Sequence, residues 1–237
     1  MTTLVLTAHG SRDPRSAANA RAVAGQVARL RPGLDVRMAF CEFNAPSLPD
    51  VLRGCPGATV VAPLLLADAY HARVDIPGQI ERCGASHRVR QADVLGEDLR
   101  LVGVLRQRIA ELGVSRFDDG IGVLVAAIGS SDNAANARTA AVVPKLLAGT
   151  RWTAATTALV TRPQCSLADA AERLRRRGVR QVVIAPWFLA PGRLPDRVRT
   201  FADDAAIAMA APLGAHQLVA ETVLDRFDRA AAQPIAA

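Results

Sequence analysis

The chain has 237 residues, of which 50% are hydrophobic and 22% charged. That composition supplies a full apolar core and excludes long disorder. The net charge is +7, and all of the 29 basic residues except Lys145 are arginine. The charge is spread: the first 118 residues carry +15 and −12, the remainder +14 and −10. With only 4% aromatics and one tyrosine, a nucleic-acid stacking surface is disfavoured. Anionic small molecules, which arginine grips in bidentate fashion, stay open. No apolar run approaches the ~18 residues of a membrane span, and the amino terminus has no signal-like segment. The cysteines at 41, 55, 83 and 165 show no C-x-x-C spacing, so no zinc or redox motif is expected. These features predict a cytoplasmic protein with reduced thiols and neither nucleic acid nor membrane as partner.

In chain order, residues 3–8 form a short apolar run of the kind a buried parallel strand shows. His9-Gly10-Ser11-Arg12-Asp13-Pro14 interrupts it, and an Ala-rich amphipathic helix over 15–30 ends before Pro32-Gly33. Residues 35–43 read as a second strand, 46–54 as a short helix and 59–66 as a third strand. A helix over 77–83, a strand over 89–94 and a helix over 97–112 follow. Strands alternating with helices predict an α/β fold with a parallel sheet covered on both faces.

The second half repeats the first. Asn19-Ala20-Arg21 returns as Asn136-Ala137-Arg138. Ser47-Leu48 with Asp50 returns as Ser166-Leu167 with Asp169. Val60-Val61-Ala62-Pro63 returns as Val183-Ile184-Ala185-Pro186, and His9-Gly10-Ser11 aligns with Ile128-Gly129-Ser130. Common order and a slowly drifting offset indicate duplication. The expectation is two similar lobes, each a four-stranded parallel sheet flanked by helices, over residues 1–117 and 118–237.

Ligands of open parallel sheets bind beyond the carboxyl ends of the strands. His9 follows strand one, Glu42 ends strand two, and His71 lies a few residues beyond strand three. Taken singly, His9 fits a strand-end histidine or an anion-binding turn, Glu42 a surface carboxylate, and Tyr70-His71 a loop pair. Taken together they form an imidazole and carboxylate set suited to a divalent first-row metal or to general base work. The repeat puts Ile128, Thr161 and Leu194 at the corresponding positions. A trio serving structure alone would be expected in both lobes, so one active and one supporting lobe is the simpler reading.

These segments also carry a resemblance. Leu4-Val5-Leu6-Thr7-Ala8-His9-Gly10-Ser11-Arg12, then Phe40-Cys41-Glu42-Phe43 with Pro46-Ser47-Leu48, then Pro63-Leu64-Leu65-Leu66 through His71 to Val74-Asp75-Ile76-Pro77 resemble the signatures of CbiX/SirB-type sirohydrochlorin chelatases in their long, two-lobed form. The resemblance implies insertion of a divalent metal, Fe²⁺ or Co²⁺ with Ni²⁺ as a further candidate, into sirohydrochlorin for siroheme or cobalamin synthesis. It implies His9 and His71 as metal-binding histidines and Glu42 as their acidic partner. It implies a polycarboxylate tetrapyrrole as substrate, for which Arg12 and Arg73 are candidate carboxylate contacts. A monomer with an internal pseudo-two-fold is expected, with no organic cofactor. The ending Gln233-Pro234-Ile235-Ala236-Ala237 lacks the cysteine cluster or histidine-rich tail of some relatives, so no iron–sulfur cluster is expected. One departure is Ala69, where the family commonly has glycine. A histidine-phosphatase reading fails because Ala8, not arginine, precedes His9. A tetrapyrrole or metal carrier of the same fold remains the alternative.

Overall fold

The structure, a computed structural model, describes residues 2–161 and 166–233. Cys165 and the carboxyl-terminal Pro234 to Ala237 lie outside the described residues. Two four-stranded sheets form, every pairing parallel. The first contains β1 (Thr3–Ala8), β2 (Val36–Phe40), β3 (Thr59–Pro63) and β4 (Val89–Gln91) in the order β2-β1-β3-β4. The second contains β5 (Ile121–Ala127), β6 (Ala154–Leu159), β7 (Gln181–Pro186) and β8 (Ala208–Met209) in the matching order β6-β5-β7-β8. In each sheet the chain reverses its direction of travel between the two central strands. This is the switch point at whose carboxyl edge open α/β sheets bind ligands.

The helices start where local chemistry permits. Helix α1 (Pro14–Leu30) has Pro14 in its first turn, and the Asp13 carboxylate accepts the Arg15 N–H at 3.0 Å. Its buried face is Ala17, Ala20, Val23 and Val27, the expected helical stripe. The repeated Ser-Leu-x-Asp motif is a helix start in both sheets. Ser47 caps α2 (Leu48–Arg53) and Ser166 caps α7 (Leu167–Arg176). Each serine accepts the N–H of the following aspartate, Asp50 or Asp169, and donates its hydroxyl to that carboxylate at 2.6 Å. The motif therefore records the fold and not the chemistry.

The compact units are not sequential halves. One comprises residues 1–96 with 215–237, the other residues 97–214. Helix α4 (Leu99–Ala110), which closes the first repeat in sequence, packs on β7 and on α6 (Val142–Leu147), the helix that follows α5 (Asn133–Ala140). Helix α9 (Gln217–Ala232), which closes the second, packs on α1, β3 and β4. Arg226 fixes α9 there by donating to the carbonyls of Val94 at 3.0 Å and Leu95 at 2.9 Å. Lys145 fixes α4 by donating to the Glu97 carbonyl at 2.6 Å. A cut at 117/118 follows the repeat but not the packing, because an amphipathic pattern shows that a helix buries one face without showing which sheet receives it.

The first unit carries a core of Val5, Ala39, Leu48, Leu52, Val61 and Ile76 with their neighbours. The second carries Leu124, Ala158, Leu174, Ile184, Phe188 and Val198 with theirs. Among the described residues no helix is long and apolar enough to cross a membrane.

Candidate metal centre

Strand β2 ends at Phe40, earlier than the sequence pattern suggests, but its ladder to β1 continues. Cys41 N–H donates to the Ala8 carbonyl and Glu42 N–H to the His9 carbonyl, each at 2.9 Å. These two bonds carry Glu42 alongside His9. The turn then tightens: Asn44 N–H donates back to the Glu42 carbonyl at 2.7 Å, and the Asn44 side-chain oxygen accepts the Ser11 N–H at 2.8 Å. Phe43, at the centre of this turn, has φ of 60°, a left-handed conformation that costs a non-glycine residue about 1 kcal/mol. Gly10 has φ of +96°, and a Cβ there would lie 1.9 Å from the Glu42 carbonyl oxygen. Only glycine allows this approach of the two strand ends.

His71 lies beyond β3, where the sequence suggests a loop. It opens a single π-helical turn, His71–Asp75, that runs into α3 (Ile76–Arg82). Such widened turns place side chains off the ordinary helical register and recur at functional sites. The His71 Nδ1 faces the Asp75 carboxylate at 3.2 Å, and Asp75 accepts from the Gln79 amide at 2.9 Å. A carboxylate accepts, so in the neutral His71 ring the proton sits on Nδ1 and the lone pair on Nε2. His9 is fixed in the same tautomer, its Nδ1–H donating to the Gly10 carbonyl at 2.9 Å.

The result is a convergent set. One donor atom each of His9, Glu42 and His71 lies within 4.8 Å of the others. His9 Nε2 is 4.0 Å from a Glu42 oxygen, and the two imidazole rings meet edge to face at 4.0 Å. The side chains of His9, Glu42 and His71 are 35%, 45% and 35% exposed. The two imidazoles are thus held at Nδ1 by Gly10 and Asp75, while all three side chains stay partly open to solvent. Nearby Cys41 offers no thiolate. Burial first, and then the charges of Asp75 and Glu42, push its thiol up to about 12.

The structure therefore brings the trio together. Arg12 is exposed and holds its guanidinium 5.6 Å over the Phe43 ring, at the edge of the site. Arg73, also exposed, pairs with Asp68 at 2.7 Å. Asn44, Asp75 and Gln79, which hydrogen-bond around the trio, are not among the site residues singled out from the sequence. For the last two a signal existed: His71, Asp75 and Gln79 recur at four-residue spacing, which stacks side chains on one helical face.

The sequence model of the CbiX family matches residues 3–112 and again residues 122–230. The chain belongs to the CbiX family. A sirohydrochlorin ferrochelatase of Priestia megaterium is 31% identical over 212 residues, covering 84% of this chain and 77% of the relative. A sirohydrochlorin cobaltochelatase of the same organism is 26% identical, with 84% and 67% covered. A structure of SirB from Bacillus subtilis with Fe³⁺ superposes with a TM-score of 0.83, covering 98% of this chain and 96% of that one. At 21% identity that likeness concerns the fold.

The two CbiX repeats share backbone geometry while differing in side chains. Thr161 N–H donates to the Ile128 carbonyl at 3.0 Å and Val160 N–H to that of Ala127 at 2.8 Å, the counterparts of the bonds at Glu42 and Cys41. Gly129 repeats the positive φ of Gly10, at 88°. Yet Ile128 and Thr161 stand where His9 and Glu42 stand, and the Thr161 hydroxyl donates to the Ile128 carbonyl at 2.6 Å. Leu194, the counterpart of His71, lies in α8 (Arg193–Asp204) and packs partly buried against the second core. Leu194→Ala is therefore expected to cost about 1–2 kcal/mol in denaturant unfolding, below the value for a fully buried leucine. Co²⁺ affinity should not change; a selective loss of metal binding would contradict a supporting role for this lobe.

Proposed function

We propose that this protein is a sirohydrochlorin chelatase inserting a divalent ion, Fe²⁺ or Co²⁺, and that the reaction takes place at His9, Glu42 and His71. The observation that carries the reading is the convergence of three nitrogen and oxygen donors within 4.8 Å of one another at the carboxyl edge of a parallel sheet. The names of the Priestia megaterium relatives support the choice of substrate. His9 and His71 hold the ion through Nε2, with Glu42 as third ligand or proton acceptor. Borderline imidazole and carboxylate donors bind Fe²⁺, Co²⁺ and Ni²⁺ without the closed thiolate cage that would retain them.

Insertion replaces two pyrrolic N–H bonds of the macrocycle with metal–nitrogen bonds and releases two protons. The Glu42 carboxylate, open to solvent, takes protons from the ring nitrogens and passes them to water. Arg12 meets one of the substrate's carboxylates, and Arg73 is a second contact if it exchanges Asp68 for substrate. A single chain acting in the cytoplasm suffices, and its product would enter siroheme or cobalamin synthesis.

The test is the visible absorption change on mixing protein, sirohydrochlorin and Fe²⁺, Co²⁺ or Ni²⁺ in turn. Many products per chain are expected; one equivalent bound without turnover would favour a carrier. A further expectation concerns Asp75, which acts on metal binding through His71. Asp75→Ala should weaken Co²⁺ binding about 10–100-fold, the range for removing a carboxylate behind a metal-binding histidine. The Co²⁺ absorption band measures this directly, and an unchanged affinity would remove Asp75 from the site.

A further inference from the structure

Large apolar side chains scattered singly over a surface need no explanation, but a cluster of them at a polar site does. In the unit formed by residues 1–96 and 215–237, the exposed large hydrophobic side chains among the described residues are Leu30, Phe43, Tyr70 and Val74. All but Leu30 lie in the two segments that carry the metal-site residues. Phe43 follows Glu42, Tyr70 precedes His71, and Val74 precedes Asp75. Phe43 is 56% exposed, Tyr70 65% and Val74 53%, so core packing does not account for them.

The aromatic pair is joined to the imidazoles. The Phe43 ring lies 6.0 Å from that of His9 at an interplanar angle of 30°, and the Tyr70 ring lies 5.6 Å from that of His71. With the 4.0 Å contact between the histidines, Phe43, His9, His71 and Tyr70 make a continuous run of four rings. Phe43 is also held at φ of 60°, where glycine sits without strain. A strained backbone carrying a large, unburied side chain points to a task outside folding.

We propose that Phe43 and Tyr70 form an aromatic rim, one ring against each imidazole, that takes the face of a flat conjugated macrocycle and sets its nitrogens over the His9–His71 pair. Arg12, over the Phe43 ring at 5.6 Å, stands at the edge of the rim for a carboxylate on the macrocycle's fringe. Val74 extends the apolar surface beside Tyr70. The rim deepens the chelatase reading and rests on it. It assigns recognition of the apolar ring face to residues that bind no metal, separate from the donors that hold the ion.

The test uses the full chain with metal-free sirohydrochlorin as the probe and its Kd by absorption titration as the readout. Co²⁺ affinity and thermal unfolding are measured alongside. Phe43→Ala and Tyr70→Ala should each weaken macrocycle binding about tenfold, the scale of a flat ring lost from a stack. Co²⁺ affinity should stay within about twofold of wild type, since no donor is removed. Tyr70→Phe should rescue what Tyr70→Ala loses, and Phe43→Leu should restore binding only in part, because an apolar side chain without a ring cannot stack. Turnover by the wild type together with unchanged Kd in both alanine variants would overturn the rim and leave the chelatase reading intact. Macrocycle binding that depends on both rings, but without turnover, would uphold the rim and overturn the chelatase. A wild type that does not bind the macrocycle would overturn both.

Discussion

Replacing His9 with alanine is expected to lower the rate of Co²⁺ insertion into sirohydrochlorin by about 100-fold or more, to near the uncatalysed background. Loss of a group behind a metal-binding histidine already costs about 10–100-fold, and His9 is itself a candidate ligand. Its removal leaves Glu42 and His71 without the third donor of a set that closes within 4.8 Å. Stability should change little, because the His9 side chain is partly exposed and its hydrogen bond is to the adjacent Gly10 carbonyl. The control is Ile128→Ala. Ile128 occupies the same place after β5, with the same backbone bond to its neighbour on the β6 side, and its loss should leave Co²⁺ affinity untouched. Initial rates by visible absorption, with metal affinity measured separately, decide the matter. Equal rates for wild type and His9→Ala above background would end the assignment of His9.

The contrast between His9 and Ile128 also shows what the sequence made legible and what it hid. Strand order of appearance, the duplication and the trio were readable because each rests on local pattern: apolar runs for strands, recurring motifs for the repeat, and strand-end positions for His9, Glu42 and His71. The exchange of α4 and α9 between repeats was not, since only contacts such as Arg226 with Val94 and Lys145 with Glu97 reveal which sheet a helix covers. The π-helical turn at His71 was hidden for a related reason. Nothing in its composition separates it from a loop, and its role appears once Asp75 is seen holding Nδ1. Asn44 was out of reach as well. It acts on Ser11, and in the second repeat the equivalent N–H of Ser130 is taken by Asn136, from a different part of the chain. The same backbone need is met by unaligned residues, so the repeat gives no hint of it.

Gly10→Ala carries the second large expected effect, and it removes no candidate ligand. At φ of +96° alanine is strained, and its Cβ would stand 1.9 Å from the Glu42 carbonyl oxygen and 2.9 Å from the carbonyl carbon. Both are backbone atoms, so no side-chain rotation relieves the clash. Relief requires the Glu42 segment to move away from His9, breaking the 2.9 Å bond from Glu42 N–H to the His9 carbonyl that holds the two donors side by side. We expect a loss of about 3 kcal/mol in stability, among the larger effects of a single substitution, together with a drop in Co²⁺ affinity of tenfold or more. Gly33→Ala separates the two causes. Gly33 has a similar φ of +89° but nothing within 4 Å of its Cβ position, so it should cost only the conformational strain, about 1 kcal/mol, with metal binding unchanged. If Gly10→Ala instead matched Gly33→Ala in both stability and Co²⁺ affinity, the close approach at Gly10 would not be what aligns Glu42 with His9. Because Gly129 keeps the same positive φ beside Ile128, the glycine belongs to the strand-end geometry shared by both repeats, and in the first repeat that geometry carries His9 and Glu42 side by side.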